Sequence, residues 1–326
     1  MIPIDLITGF LGAGKTTFLL RYARYLLAQG LRLGILVYDH GAVNVDMPLL
    51  QALRDEGCEL EMLSGACDPG CHRRRFRTKL IAMAMSGYDR VLIEPSGLFD
   101  MDEFFDVLHE EPLDRWYEAG SVIAVVDAML EEELSPDADF FLASQAASAG
   151  CVLLSRCQWA SPADLDRTLS HLRRAQAAIH CPPLPEDRVL AKDWKALTED
   201  DFKRLMNCGY RLSDYVKSIA GVGADFQSLS YLDLPLGRIA LEEKVRLLFA
   251  NPSFGRIHRV KGFFPEGERW YQLNATGKDF HVSPVPESRA ALVVIGSGLR
   301  EEAISLLLTG SKPEHQSLFS MGGTAE

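Results

Sequence analysis

Short apolar runs alternate with segments of helical periodicity through the first part of the chain. Ile2 to Thr8, Leu33–Tyr38, Val91–Glu94, Val122–Asp127 and Cys151–Ser155 are apolar and bounded by charge or glycine, so each predicts a buried strand. Cys58 precedes a further apolar strand and reads as a core residue. Between these runs, Thr16 to Gln29 sets Phe18, Leu19, Tyr22, Ala23, Leu26 and Leu27 at helical spacing, and Gly30 stops the pattern. Helical patterns recur over Arg74–Ser86, Met101–Leu108, Ala163–Ile179 and Thr198–Leu205. The third opens on Ser161-Pro162 with Asp164 in its first turn, and the fourth on a threonine cap. Such alternation predicts an α/β domain over residues 1–220, with a mostly parallel sheet and flanking helices.

The texture changes after Gly221-Val222-Gly223. Gln227–Leu232, Arg256–Phe264, Trp270–Thr276, Lys278–Ser283 and Ala291–Gly296 read as short strands, with helices over Leu241–Phe249 and Glu301–Leu308. These elements predict a small α+β domain over 221–310, followed by a polar, flexible tail over 311–326.

The first strand and first helix are joined by Gly9-Phe10-Leu11-Gly12-Ala13-Gly14-Lys15-Thr16-Thr17, the phosphate-binding pattern G-x-x-x-x-G-K-[ST] in its required strand-to-helix setting. Gly9, Gly12, Ala13 and Gly14 let backbone N–H groups curl around phosphate oxygens, and the helix N-terminus adds about half a positive charge. Lys15 is expected on the β- and γ-phosphates, Thr16 on Mg²⁺ and Thr17 on the α-phosphate.

Composition narrows the class. Hydrophobic residues make up 47% and charged residues 24% of 326 positions, as in an ordinary globular protein. A net charge of −11 disfavours general binding to nucleic acid or anionic membrane. No apolar run approaches the roughly 18 residues of a membrane span, and the N-terminus carries no basic leader. Cytoplasmic residence is the expectation. Seven cysteines, an odd number, then point to reduced thiols, some of them candidate metal ligands.

Two stretches sit where a phosphate-loop enzyme senses the γ-phosphate: Asp39-His40-Gly41-Ala42-Val43-Asn44-Val45-Asp46, and Glu94-Pro95-Ser96-Gly97. Together with I-T-G-F-L-G-A-G-K-T-T, they resemble the CobW-like branch of the CobW/HypB/UreG class of P-loop GTPases, whose members handle metals or metallocofactors. Val125-Val126-Asp127-Ala128 and Gln145-Ala146 fit further family positions. Arg259-Val260-Lys261-Gly262-Phe263 and the segment Leu292 to Leu299 resemble markers of the family's C-terminal domain. The resemblance implies GTP and Mg²⁺ as ligands and Lys15, Thr16 and Glu94 as the catalytic set. Glu94 stands where other P-loop enzymes carry aspartate at Mg²⁺, and Gly97 would contact the γ-phosphate. It also implies slow turnover as a switch, and a client metalloenzyme or corrinoid protein as partner. A homodimer is compatible with it.

Three departures qualify that implication. Where the family writes N-K-x-D to read guanine, this chain writes Ser155-Arg156-Cys157-Gln158, so Gln158 offers one neutral oxygen in place of a carboxylate. GTP is favoured by resemblance alone and ATP stays an alternative. Asp39-His40 replaces Asn-Glu. Asp39 can still hold Mg²⁺ or its water, and His40 is open between a metal ligand, a pH-sensitive switch and an exposed polar residue. The Cys-x-Cys-Cys motif becomes Gly65-Ala66-Cys67-Asp68-Pro69-Gly70-Cys71-His72. Cys67, Cys71 and His72 can supply three ligands to Zn²⁺ or Co²⁺, with a structural loop turned by Pro69-Gly70 or a redox-sensitive thiol pair as the alternatives.

The neighbouring run Arg73-Arg74-Arg75-Phe76-Arg77-Thr78-Lys79 is short, has no second basic patch beside it and reads as a solvated or partner-facing helix, not a nucleic-acid patch. Its arginines are expected to favour nearby thiolates. Two rival functions remain: a nucleotide-gated activator of a corrinoid or other metalloenzyme that carries no metal itself, and a small-molecule kinase, for which no catalytic base is evident.

Overall fold

The computed structural model describes residues 1–38, 47–63, 69–99, 101–212, 226–277, 280–285 and 290–310. The chain divides into two compact units, Met1–Asp225 and Phe226–Glu326.

In the first unit the strands are β1 (Ile2–Thr8), β2 (Leu33–Tyr38), β3 (Glu59–Leu63), β4 (Arg90–Glu94), β5 (Tyr117–Asp127), β6 (Cys151–Ser155) and β7 (Val189–Ala191). They pair in the order β3-β2-β4-β1-β5-β6-β7, and every pairing is parallel. Parallel strands need crossovers. These are supplied by helices α1 (Lys15–Ala28), α2 (Met47–Asp55), α3 (Pro69–Ala84), α4 (Met101–Leu108), α5 (Leu113–Trp116), α6 (Pro136–Ser148) and α7 (Pro162–Ala178), with α8 (Glu199–Met206) beyond β7. One hydrophobic cluster, around Phe18, Leu19, Ile35, Leu92 and Val125, fills the α1 face of the sheet. A second, around Leu36, Phe76, Ile93, Phe104 and Val122, fills the face beneath α3 and α4. Because both faces are covered, the central strands are buried throughout and read as unbroken apolar runs.

One polar cluster inside this unit fixes the phosphate loop's supports. Asp5 of β1 is wholly buried and accepts hydrogen bonds from the Tyr22 hydroxyl of α1 (2.7 Å), Arg90 of β4 (2.7 Å) and the Ser121 N–H of β5 (2.8 Å). The strand before the loop, the helix after it and both neighbouring strands are thereby pinned to one carboxylate. A buried charge is tolerated only when satisfied in this way.

Local chemistry sets the helix ends. Ser161 and Thr198 each form a capping box, with Asp164 and Asp201 as the returning carboxylates; the Ser161 hydrogen bonds hold the Asp164 carboxyl down at about 2, and the Lys192 ammonium, followed by the Thr198 N–H, holds that of Asp201 down at about 2. Pro69-Gly70 differs from the sequence reading: it opens α3, which starts at Pro69 and not at Arg74. Proline is tolerated in a first helical turn because its missing N–H has no intrahelical partner there.

The second unit is an antiparallel sheet in the order β11-β10-β9-β12-β8, built from β8 (Phe226–Leu232), β9 (Arg256–Glu266), β10 (Arg269–Thr276), β11 (Phe280–Val285) and β12 (Ala291–Ser297). Helices α9 (Arg238–Ala250) and α10 (Glu301–Thr309) share its core: Leu241, Val245, Leu248, Ile304 and Leu308 meet Val260, Leu273 and Val294. Gly221 to Gly223, Lys278 and the 311–326 tail lie outside the described residues. No helix among the described residues is long and apolar enough to cross a membrane.

Candidate functional site

All seven strands of the first sheet run the same way, so their C-terminal ends lie along one edge. The phosphate loop follows β1, Glu94 closes β4, Asp127 closes β5 and Ser155 closes β6. In open α/β sheets this edge is where ligands bind.

The loop is shaped by close backbone approaches. Gly9 has φ +144°, and a Cβ there would lie 2.3 Å from the Val125 carbonyl oxygen of β5, so no side chain fits. α1 begins after Gly14 with neither a capping side chain nor an acidic residue in its first turn. Its N-terminus thus carries no side-chain cap, in contrast to α7 and α8 with their serine and threonine boxes. Lys15 is buried, and its Nζ donates to Gly9 O at 2.9 Å, which holds the ammonium over the loop. Thr17, one residue beyond Thr16, is exposed.

Thr16 and Glu94 meet directly. The Thr16 hydroxyl donates to Glu94 Oε1 at 2.7 Å, and both residues are buried. A hydroxyl and a carboxylate one hydrogen bond apart form a hard-oxygen pair whose chemistry fits Mg²⁺. Gly97 is packed against the loop as well: a Cβ on it would lie 2.6 Å from Leu11 N. Its carbonyl accepts from Gln145 Nε2 at 3.0 Å, and Gln145 is buried in α6. Backbone reading at Gly97 is thus fixed from both sides. The role of Gln145 as its support is invisible to spacing, because the two are far apart in sequence.

The segment after β6, where the sequence places the base reader, is organised around Arg156. It takes a left-handed φ of 58° and sends its guanidinium to the Asp127 carboxylate and, at 3.4 Å, to Gly12 O. Ser155 is buried and donates to Val126 O at 3.4 Å, whereas Gln158 is exposed. Trp194, beyond β7, closes this side: Nε1 donates to Leu154 O at 2.9 Å and the ring lies 5.7 Å from Phe18, against Gly14. Arg156 stands where the family pattern has its lysine, a signal the sequence did carry. Trp194 had none.

The candidate thiol site is partly described. Asp39, His40 and Cys67 lie outside the described residues, as does the side chain of His72. Cys71 lies in the first turn of α3 and is half-buried. Burial pushes the thiols of Cys58, Cys151 and Cys208 up to about 11, 12 and 11, so at neutral pH these three stay protonated and are poor metal ligands. Cys58 is a core residue, as its setting in the sequence predicts. Among the described residues, no three His, Cys, Asp or Glu side chains converge on a metal-sized site. Two of the arginines expected to favour thiolates have other partners, since Arg73 and Arg77 are paired with Glu110.

Behind this segment three buried rings touch: Tyr38 at the end of β2, Phe76 of α3 and Phe99 in the turn after Gly97. Their centroids are 5.5 to 6.2 Å apart, with Tyr38 and Phe76 stacked and Phe99 edge-on to both.

With this geometry in hand, two family models match the chain. The CobW/HypB/UreG nucleotide-binding domain covers residues 3–181 and the cobalamin synthesis protein cobW C-terminal domain covers residues 233–311. The zinc chaperone YeiR of Escherichia coli (strain K12) is 25% identical over 332 residues, spanning 90% of this chain and 93% of that protein. The zinc chaperone YjiA of the same organism is 29% identical over 173 residues, spanning 50% and 52%. The crystal structure of Zn(II)-bound YjiA GTPase from E. coli aligns over 96% of this chain and 99% of that one, at 20% identity and a TM-score of 0.35. The chain belongs to the CobW/HypB/UreG family of P-loop GTPases.

Proposed function

We propose that this protein is a nucleotide-hydrolysing metallochaperone whose phosphate loop acts as a switch on metal or client binding, with GTP as the favoured nucleotide. The observation that carries the reading is the Thr16–Glu94 hydrogen bond beneath a loop whose flank is packed by Gly97. Lys15 and the backbone amides of Gly12 to Thr17 hold the phosphates. Thr16 and Glu94 hold Mg²⁺ directly or through water. When bound, that ion neutralises charge on the β- and γ-phosphate oxygens. The Gly97 N–H meets the γ-phosphate, and Asp39 assists at the metal. Catalysis on this reading is positioning and charge stabilisation.

Zinc or cobalt is the cargo on this reading, held by Cys67 and Cys71 with His72 or a second subunit completing the set. The names of the curated relatives support zinc. Reduced Co²⁺-loaded protein is expected to show a thiolate charge-transfer band at one ion per chain, and Cys67→Ser with Cys71→Ser to abolish it while nucleotide affinity in metal-free buffer is kept. Exchange of GDP for a non-hydrolysable GTP analogue should shift metal affinity by about 5- to 150-fold, with the reciprocal shift in nucleotide affinity. The alternative is an activator that carries no metal, which the altered cysteine spacing favours. Absence of both band and stoichiometric metal from the wild-type protein would leave that alternative standing.

Base preference follows from Gln158. A carboxylate at this position accepts from guanine N1–H and the exocyclic amine, and an unpaired buried donor costs about 1–3 kcal/mol. Competition binding should therefore give GTP an advantage over ATP of only about tenfold, and Gln158→Asp should widen it. Strong guanine selectivity in the parent protein would defeat this.

A further inference from the structure

Gln145 uses only part of its hydrogen-bonding capacity. It is 1% exposed in α6, and its Nε2 donates to Gly97 O at 3.0 Å. A carbonyl accepts only from a donor, so the other end of the amide is its oxygen, and among the described residues that buried Oε1 has no partner. Buried polar atoms are nearly always met. Leucine or methionine would fill the same place in this buried helix and leave no acceptor unmet, so what glutamine supplies there is the grip on Gly97.

One turn further along, α6 holds another part of the chain. Ser148 lies three residues on, hence on the same side of the helix and about 4.5 Å along its axis. Its carbonyl accepts from Arg211 N–H at 3.0 Å, and Ala149 bridges Tyr210 in antiparallel fashion. The adjoining Gly209 belongs to the sheet instead, because its carbonyl accepts from the Val122 N–H of β5 at 2.9 Å. The turn that carries Gly97 reaches the same place by a second route: α4 starts at Met101, two residues beyond Phe99, and its Phe105 ring lies 5.2 Å from that of Tyr210. Tyr210 and Arg211 are thus held by the two helices that adjoin Gly97, and Gly209 by a strand. From Arg211 the chain goes on to the second unit, which starts at Phe226.

A single turn of α-helix is stiff along its axis. A shift of Gly97 that draws Gln145 with it therefore moves the Ser148 carbonyl too, whereas Gly209 stays with β5. We propose that Gln145 is a positioning residue that couples the γ-phosphate at Gly97 to the hold on Tyr210 and Arg211. A triphosphate draws Gly97 onto the phosphate loop and α6 with it, which tightens the Ser148–Arg211 hydrogen bond; a diphosphate loosens it. The inference rests on the reading above in which the Gly97 N–H meets the γ-phosphate.

Hydrogen–deuterium exchange of the full chain in Mg²⁺, read by mass spectrometry on peptides covering Pro95 to Phe99 and Asn207 to Leu212, tests it with GDP and with a non-hydrolysable GTP analogue. In the parent protein the analogue should slow exchange in both peptides, by about tenfold at the Arg211 amide. Gln145→Met and Gln145→Leu fill a similar volume and donate nothing. In both variants the nucleotide dependence of the 207–212 peptide should vanish, and the preference for analogue over GDP should fall by about fivefold or more. Unchanged GDP affinity shows that the fold and the phosphate loop are intact. Equal weakening of both nucleotides would assign Gln145 a structural role alone and overturn the proposal, as would a 207–212 response that persists in the variants. Protection of 95–99 with no response at 207–212 in the parent keeps Gly97 as the γ-phosphate reader and rejects the coupling. No response in either peptide rejects the Gly97 reading itself, and the coupling with it.

Discussion

Lys15→Ala is expected to weaken nucleoside triphosphate binding by at least tenfold, and by up to about a hundredfold. The Lys15 ammonium is buried in the loop and held at 2.9 Å by the Gly9 carbonyl, so on phosphate binding it exchanges a neutral acceptor for a charged one. Hydrogen bonds to charged groups are worth about 1.5–3 kcal/mol net, and each 1.4 kcal/mol is tenfold. Titration of a fluorescent nucleotide measures the loss directly. Affinity equal to the parent's would mean that the phosphates bind elsewhere. The variant should fold, because truncation leaves the Asp5 cluster that anchors both flanks of the loop untouched.

Glu94→Gln is expected to lower Mg²⁺-dependent turnover by about 10²- to 10³-fold, the range seen when one preorganised electrostatic contact to the transition state is lost. The amide matches the carboxylate in shape and can still accept from Thr16, so the 2.7 Å contact survives while the charge that would organise the ion does not. Nucleotide affinity without Mg²⁺ should stay within a few-fold of the parent's. Phosphate release followed across a Mg²⁺ titration separates the two effects. Unchanged turnover at saturating Mg²⁺ would remove Glu94 from the machinery.

The phosphate loop is legible because its chemistry requires fixed residue types at fixed spacing, and β2 because a strand buried on both faces has few polar positions to blur it. Other parts had no such signature. Helix α6 is buried along nearly every side, including Ser144, Gln145 and Ser148, so it has no polar stripe to set against an apolar one. Strand β7 is three residues long, below the length at which alternation or composition says anything. Trp194 therefore reaches Leu154, Phe18 and Gly14 from a position that only the completed sheet brings there. Pro69-Gly70 has the sequence signature of a turn because proline and glycine break most helix interiors, whereas at a first turn proline breaks nothing. Gln145 and Gly97 meet because α6 crosses behind the β4 turn, a long-range pairing without local trace.

The contact among Tyr38, Phe76 and Phe99 bears on how freely this site can be re-engineered. Each ring lies within five residues of a candidate ligand: Tyr38 adjoins Asp39, Phe76 follows Cys71, and Phe99 follows Glu94. The rings occupy one interior volume, and close-packed interiors do not deform continuously. Grafting a different metal loop or γ-phosphate sensor onto this scaffold is therefore a three-segment transplant: a new segment must arrive with a ring of matching size and tilt, or the other two must be exchanged with it.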